Sequence, residues 1–317
     1  MGQLIKLQDY ISRYELDVYH YPSEFIRLKK KQWERVKQAW ESGQLSASMQ
    51  QVDSWKWMEQ ETSLFSKIKN LWKRSNEEIE EQSNEEKEGE FSFTFTTEPK
   101  SIEDLKFLFL EKLFRLQIRW ASSTLTEESL VDQKYYYDPY LKYFLQRFPD
   151  TYLCMYKPIF LLKKAPVELE TILISPTTTW CLTFVEGRKD NIIVGSADRF
   201  WTEMINDQER KMLNPLLALN RTEKIVKKIY EHFAIDMPVK KVIINRQGYI
   251  EYRYAPSDLE IIDRRNYDMW FSSLRQLTLP LKHVQLKAAQ ALLHYCDAHY
   301  YDRIEWEEVE EEEEADS

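Results

Sequence analysis

Glycine is scarce in this chain of 317 residues, which contains six. Loops that cradle phosphates depend on glycine, and the sequence has neither a GxGxxG nor a GxxxxGKS/T pattern. Folds that bind nucleotides through such loops are therefore excluded. Long apolar stretches are missing too, since no uncharged run reaches the roughly 18 residues that a membrane helix requires. We therefore expect no membrane partner and no small-molecule cofactor.

Cysteine is also rare, with Cys154, Cys181 and Cys296 as the full set. An odd number without paired spacing predicts no disulfide framework and a cytoplasmic location. Cys154 and Cys181 lie in apolar segments and are expected to be buried, inert thiols. His294 and His299 flank Cys296, but a structural zinc ion needs four ligands, and Cys296 and His299 alone share a helical face.

Negative charge is concentrated in two segments. Residues 77–90 carry eight Glu against Lys87, and residues 305–317 carry eight Glu and Asp316. Because these two segments together hold −16 and the whole chain holds −9, the rest of the chain carries +7. Runs of like charge repel and usually stay unfolded. A mildly basic body predicts an acidic partner such as nucleic acid, or ordinary surface lysines without a partner.

These composition shifts predict four regions. Residues 1–75 are expected to form a helical amino-terminal module and residues 76–90 an acidic linker. An α/β domain should occupy residues 91–303, and residues 304–317 an acidic, disordered tail. In the first module, apolar spacing from Ser23 predicts a helix that Gly43 ends. In the α/β domain, a capped helix should begin at Ser101.

The middle of the chain changes from helical to alternating periodicity. Residues 167–174 and 180–185 are predicted strands joined by a short turn, and therefore a hairpin. After a turn near residues 198–201, Asn214-Pro215 should open a long helix. Another strand is predicted at 239–245. Strands separated by a long helix favour an α/β fold with a mixed central sheet flanked by helices.

Four segments appear in an order that resembles the NERD (nuclease-related domain) family between about residues 139 and 263. They are Val167-Glu-Leu-Glu170-Thr-Ile-Leu-Ile-Ser-Pro176, Asp198-Arg-Phe-Trp201, Lys211-Met-Leu-Asn214-Pro215-Leu-Leu, and Met237-Pro-Val-Lys-Lys-Val-Ile-Ile-Asn245. The resemblance implies a restriction-endonuclease-like core, related to the PD-(D/E)XK nucleases. In such enzymes two acids on neighbouring strands hold Mg²⁺ or Mn²⁺ against the phosphate, and a Glu-x-Lys motif supplies the second acid and a lysine.

The catalytic motif implied by this resemblance is degenerate. Glu170 takes the place of the first acid and is the candidate metal ligand. If the family's spacing is counted from Glu170 without a gap, Thr183 and Val185 stand at the positions of Glu and Lys. If the turn has one extra residue, Phe184 and Glu186 stand there.

The nearest substitute for the missing motif is Glu186-Gly187-Arg188 at the end of the strand. A shift by an odd number of residues reverses every side chain, so this substitute requires a bulge at Gly187. Arg188 also replaces a lysine poorly as an amine that orients water. The family's Gln after Asn-Pro is missing as well, since Leu217 and Ala218 stand there.

The resemblance therefore leads to a catalytically inactive NERD-like pseudoenzyme that binds a protein or nucleic acid. The alternative is a divergent DNA nuclease that uses Glu170, Glu186 and Arg188 with Mg²⁺ or Mn²⁺. Otherwise no cofactor is expected.

A basic run on the first predicted helix supports a third hypothesis. Lys29, Lys30, Lys31 and Arg35 form a candidate nucleic-acid-binding surface, because lysine and arginine neutralise phosphates. A solvated outer helix face explains the same residues without a ligand.

Overall fold

The computed structural model describes residues 1–43, 99–124, 127–163, 165–205, 208–277 and 279–298. The helices are α1 (Arg13–Leu16), α2 (Tyr21–Glu41), α3 (Ile102–Trp120), α4 (Lys134–Tyr137), α5 (Pro139–Arg147), α6 (Leu216–His232), α7 (Tyr267–Arg275) and α8 (His283–Leu293). The strands are β1 (Gln3–Leu7), β2 (Leu153–Tyr156), β3 (Ile159–Leu162), β4 (Ala165–Glu168), β5 (Thr171–Ile174), β6 (Thr179–Phe184), β7 (Ile192–Val194), β8 (Phe200–Ile205), β9 (Gln208–Leu213), β10 (Val239–Asn245), β11 (Tyr249–Glu251) and β12 (Leu259–Asp263).

Six strands form a central mixed sheet in the order β1-β2-β5-β6-β10-β12. β5 runs antiparallel to β2 and β6, and the other neighbouring pairs are parallel. The carboxyl ends of β1, β2, β6, β10 and β12 therefore lie at one edge of the sheet, together with the amino end of β5. We call this the carboxyl edge. The α/β class with a mixed central sheet flanked by helices is confirmed.

Helices cover both faces of the sheet because its strands are apolar on both faces. α5 and α7 pack on one face, where Phe144 and Phe271 join a core with Leu173, Leu182 and Val242. α6 packs on the opposite face, and the Tyr230 hydroxyl lies 2.7 Å from the Thr179 hydroxyl. Alternating residues of one strand thus point to different helices.

A buried ionic cluster fixes α6 to β10. The Lys241 ammonium lies 3.1 Å from Glu223 on the helix and 2.8 Å from Asp258, and it also donates to Asn220. Because Lys241 is 5% exposed, these partners compensate for its desolvation. The helix is thereby held at the sheet, with its first turns near the carboxyl edge.

The predicted hairpin is confirmed, but the strand predicted for residues 167–174 is two strands. β4 pairs with β3 in a separate two-stranded sheet, whereas β5 joins the central sheet. At the break, the Leu169 amide donates to the Pro158 carbonyl and the Glu170 amide donates to the Thr222 hydroxyl. The chain therefore changes sheets at Glu170, and apolar alternation along the sequence does not show this change.

A four-stranded sheet in the order β11-β7-β8-β9 contains Phe200 and Trp201 of the Asp198–Trp201 segment. The sequence predicted a turn there, but β8 begins at Phe200. Trp201 is fully buried and its indole donates to the Ser196 carbonyl at 2.8 Å. The turn is thus confined to the residues before β8, because burial of Trp201 in the sheet extends the strand.

The first residues are a strand, where the sequence predicted a helical module. β1 pairs in parallel with β2, and Leu4, Ile5 and Leu7 are fully buried. Residues buried on both faces of a short strand give no alternation in the sequence. The helix predicted from Ser23 is α2, followed by Gly43 at a φ of 69°.

The helix predicted from Ser101 is α3, and the Ser101 hydroxyl accepts from the Asp104 amide at 3.1 Å. Among the described residues, those in 1–27 and 113–298 belong to one compact unit, and those in 28–43 and 99–112 belong to a second. The predicted limits at 75, 90 and 303 stay predictions, because the acidic linker and tail lie outside the described residues. Within the described ranges, no helix has the length and apolar character needed to cross a membrane.

Candidate functional site

A cleft of about 290 Å³ opens at the carboxyl edge of the central sheet. Its position follows from topology, because open α/β sheets bind ligands outside the carboxyl ends of their strands. The cleft is lined by residues from α5, β2, β4, β5, β6 and α6: Tyr140, Tyr156, Lys157, Glu168, Leu169, Glu170, Thr171, Leu182, Thr183, Phe184 and Arg221.

Glu170 is the half-buried carboxylate of this cleft. The β5–β6 register pairs Thr171 with Leu182, so Glu170 comes next to Thr183. Burial raises the pKa of Glu170 above its usual value, while the Thr183 hydroxyl and the Lys157 charge act in the opposite direction. A carboxyl group with a raised pKa keeps its proton to higher pH, so it is better suited to donate one.

Two cations, Lys157 and Arg221, line the cleft together with the carboxylates of Glu168 and Glu170. Lys157 follows β2 and adopts a φ of 45°, a left-handed conformation that is uncommon for lysine. Arg221 comes from α6 and donates to the Glu168 carbonyl at 2.9 Å. Both side chains are exposed and line the cleft. A pair of cations beside two carboxylates fits an anionic ester that requires both charge stabilisation and proton transfer.

The third part of the cleft is aromatic. The Tyr140 and Phe184 rings are stacked, with centroids 4.5 Å apart and planes at 25°. Asp138 fixes the first turn of α5, since it accepts from the Tyr140 amide at 2.8 Å and from the Tyr156 hydroxyl at 2.6 Å. We call Tyr140 and Phe184 the aromatic wall.

Glu186 does not line the cleft and is held by Arg246 instead. The Arg246 guanidinium donates to both Glu186 oxygens at 2.5 and 2.8 Å, and the Arg246 amide donates at 3.0 Å. The Glu186 side chain is 6% exposed. Arg188 is exposed and also lies outside the cleft lining. The structure therefore does not bring the three predicted catalytic residues together, because the strand ends before Glu186.

A buried polar cluster beyond Glu186 was missed by the sequence analysis. Asn191 donates to Glu203 at 2.8 Å and accepts from Asn245 at 3.0 Å, and both asparagines are fully buried. A β-carbon at Gly248 would overlap the backbone and side-chain oxygens of Asn191. Glycine is thus required there by close packing, and the cluster joins the central and four-stranded sheets.

The residues suited to metal binding are dispersed. Within the described ranges, no group of three or more His, Cys, Asp and Glu side chains is placed to hold a metal ion. Glu168 is the second carboxylate in the cleft of Glu170, and the role of Glu170 as a ligand of Mg²⁺ or Mn²⁺ stays a prediction. Cys154 and Cys181 are buried, as predicted, and burial raises the pKa of Cys296 to about 12. His299 lies outside the described residues.

The basic run lies on α2, and none of its residues is among those that line the cleft. Lys30, Lys31 and Arg35 are exposed and Lys29 is half-buried. Exposure agrees with either a phosphate-binding or a solvated face, so nucleic-acid binding by these residues stays a prediction.

Lys157, Arg221 and Tyr140 were not singled out from the sequence. Lys157 directly follows a buried strand, which is the one local signal, because strand ends meet at the carboxyl edge. Arg221 and Tyr140 lie on helices and reach the cleft through packing that residue spacing does not encode.

Comparison with known proteins connects this chain to one phosphodiesterase. A segment of 119 residues is 40% identical to a protein of Geobacillus stearothermophilus named RNA 2',3'-cyclic phosphodiesterase. The match covers 37% of this chain and 36% of that protein, so the chain spans about a third of the relative's length. Neither a family model nor a solved structure matches the chain.

This comparison overturns the resemblance to NERD domains, because the relative bears the name of an RNA cyclic phosphodiesterase. The two predicted functions, an inactive nuclease-like pseudoenzyme and a metal-dependent DNA nuclease, are therefore wrong. The relative's name denotes a hydrolase, and a metal-dependent nuclease is also a hydrolase. The two therefore agree only in this broad enzyme class. The motifs misled because they have structural roles: Asn214 accepts from the Leu216 amide at the start of α6, and Trp201 is core.

Proposed function

We propose that this chain is a phosphodiesterase that opens 2',3'-cyclic phosphates of RNA in the cleft at the carboxyl edge. The observation that carries the proposal is the placement of Glu170, half-buried with a raised pKa, in one cleft with Lys157 and Arg221. The name of the relative supports the choice of substrate.

In this reaction water attacks phosphorus, and the bond from phosphorus to one of the two ribose oxygens breaks. Protonated Glu170 donates its proton to the departing oxygen. Glu168 is the exposed carboxylate of the same cleft and accepts the proton of the attacking water. The two glutamates thus have different environments and different roles, a common division in acid–base catalysis.

The cations stabilise the negative charge that develops on the phosphoryl oxygens. Lys157 follows β2 and Arg221 lies on α6, and both side chains line the cleft in which the phosphate binds. Such preorganised charges are usually the largest contribution to catalysis. Within the described part of the chain no histidine lines the cleft, so carboxylates carry the proton transfer in this proposal.

The test is hydrolysis of a short RNA that ends in a 2',3'-cyclic phosphate, followed by separation of the monophosphate product. The wild-type chain should open the ring, and Glu170→Gln should lower kcat by about 100-fold or more, because it removes a general acid. Glu209→Gln is the control, since Glu209 is exposed on β9. Absence of wild-type turnover, or full activity of Glu170→Gln, would refute the proposal.

A further inference from the structure

The aromatic wall borders the same cleft as the acids and cations. Tyr140 and Phe184 are stacked on each other and both are only partly buried. Aromatic rings that remain partly exposed beside a phosphate site are suited to stack on a nucleobase, because every base has a π face.

Glu186, Arg246 and Asp138 hold the aromatic wall in place. The Tyr140 hydroxyl interacts with Glu186, and Arg246 binds Glu186 with two hydrogen bonds. The Arg246 guanidinium also lies 5.1 Å from the Phe184 ring centroid and 5.7 Å from that of Tyr140. At the backbone, Asp138 caps the turn that carries Tyr140. A stacking surface fixed in advance loses little conformational entropy when a base binds.

We infer that the aromatic wall is a nucleobase subsite, so that the cleft selects nucleoside phosphates over other phosphate esters. This inference rests on the proposed function, because it assumes that Lys157 and Arg221 hold the phosphate. The phosphate and the base then bind at opposite parts of one cleft. Tyr140 is in this view a specificity-determining residue that takes no part in proton transfer.

The experiment measures the dissociation constants of adenosine 3'-monophosphate and inorganic phosphate by isothermal titration calorimetry. The nucleotide should bind the wild-type chain on the order of tenfold more tightly than phosphate, as expected for one stacked base. Tyr140→Leu should remove this preference and leave phosphate binding unchanged. Tyr140→Phe should retain it, because the ring stays and only the hydroxyl is lost.

Tyr137→Leu is the matched control, since Tyr137 is 71% exposed and does not line the cleft. Equal affinity of the wild-type chain for both ligands, or an unchanged preference in Tyr140→Leu, would overturn the inference. Circular dichroism shows whether each variant is folded, and the retained phosphate affinity of Tyr140→Leu shows that the site is intact.

The binding test separates the two proposals. Nucleotide preference without turnover would reject the phosphodiesterase activity and retain the base subsite. Turnover without nucleotide preference would reject the base subsite alone. Binding of neither ligand would overturn both.

Discussion

Glu170 lines the cleft with the aromatic wall and Glu186 interacts with Tyr140 of that wall, yet the surroundings of the two glutamates differ. Glu186 receives three hydrogen bonds from Arg246, and its side chain is 6% exposed. Glu170 interacts with the Thr183 hydroxyl and more weakly with Lys157, and burial raises its pKa. The Arg246 guanidinium thus occupies both oxygens of the buried Glu186 carboxylate. Glu170 instead lines the cleft, where a carboxyl group with a raised pKa is suited to proton transfer.

The two glutamates belong to different regions, since Glu186 adjoins a buried polar cluster and Glu170 lines the cleft. The Glu186 side continues into the cluster of Asn191, Asn245 and Glu203, in which side chains bond to one another. The Glu170 side opens into the cleft with Lys157 and Arg221. Sequence counting treated the two glutamates as a pair of catalytic acids, whereas Glu186 is bound by Arg246 and Glu170 lines the cleft.

The largest expected effect is on the Glu186 side. Arg246→Met leaves the Glu186 carboxylate buried and unpaired, so the free energy of unfolding should fall by about 3 kcal/mol. Urea denaturation followed by circular dichroism measures it. Lys240→Met is the control, because the exposed pair of Lys240 and Glu260 should contribute less than about 1 kcal/mol. If both variants lose the same stability, Glu186 is not held as described.

A smaller effect is expected on the cleft side. Lys157→Gly should weaken inorganic phosphate binding on the order of tenfold, since a charged hydrogen bond is lost. Glycine retains the left-handed backbone, so stability should not fall. Lys163→Gly is the matched control, because Lys163 also has a left-handed backbone, with a φ of 51°, but does not line the cleft. Equal phosphate affinity in both variants would exclude Lys157 as a phosphate ligand.

The smallest effect concerns pH. Because the pKa of Glu170 is raised by folding, its contribution to stability is complete below the unfolded pKa and is lost as pH rises through the folded pKa. Glu170→Gln has no such loss, so its Tm should increase relative to wild type between acid and neutral pH. The change should amount to a few degrees at most. Differential scanning calorimetry at several pH values measures it.

Asp263→Asn is the control with the opposite sign. Burial acts to raise the pKa of Asp263, but hydrogen bonds from Arg265 and the Ile250 amide outweigh it and the pKa is lowered. Its stability contribution is therefore present above the unfolded pKa and lost as pH falls. The Tm of Asp263→Asn should fall relative to wild type as pH rises. If both variants shifted in the same direction, the assigned environment of Glu170 would be wrong.

Much of the fold was predictable from local pattern. The β5–β6 hairpin, the helix after Asn214-Pro215 and the strand at Val239–Asn245 follow from alternation, capping and apolar runs. β1 was not predictable, because a short strand buried on both faces has no periodicity. The division of residues 167–174 was also hidden, since the chain changes sheets without a change in composition.

Glu170 is the one residue of the candidate site that was predicted from the sequence. It was predicted from the resemblance to a nuclease-related domain, which proved wrong. The segments that resembled a nuclease-related domain are ordinary α/β features, with Trp201 in the core and Asn214 at a helix start. Lys157, Arg221 and Tyr140 come from separate elements, and only their packing brings them to one cleft. No spacing in the sequence relates them.

The sequence by itself determined the layer architecture and the segregation of negative charge into two segments. It also determined that glycine and cysteine are scarce. These depend on composition and on periodicities of two and 3.6 residues, which are local properties. Tertiary structure decided which glutamate is bound by an arginine, which one lines the cleft, and which cations lie in the same cleft. A pKa depends on burial and on charges within a few ångströms, and these distances exist only once the chain has folded.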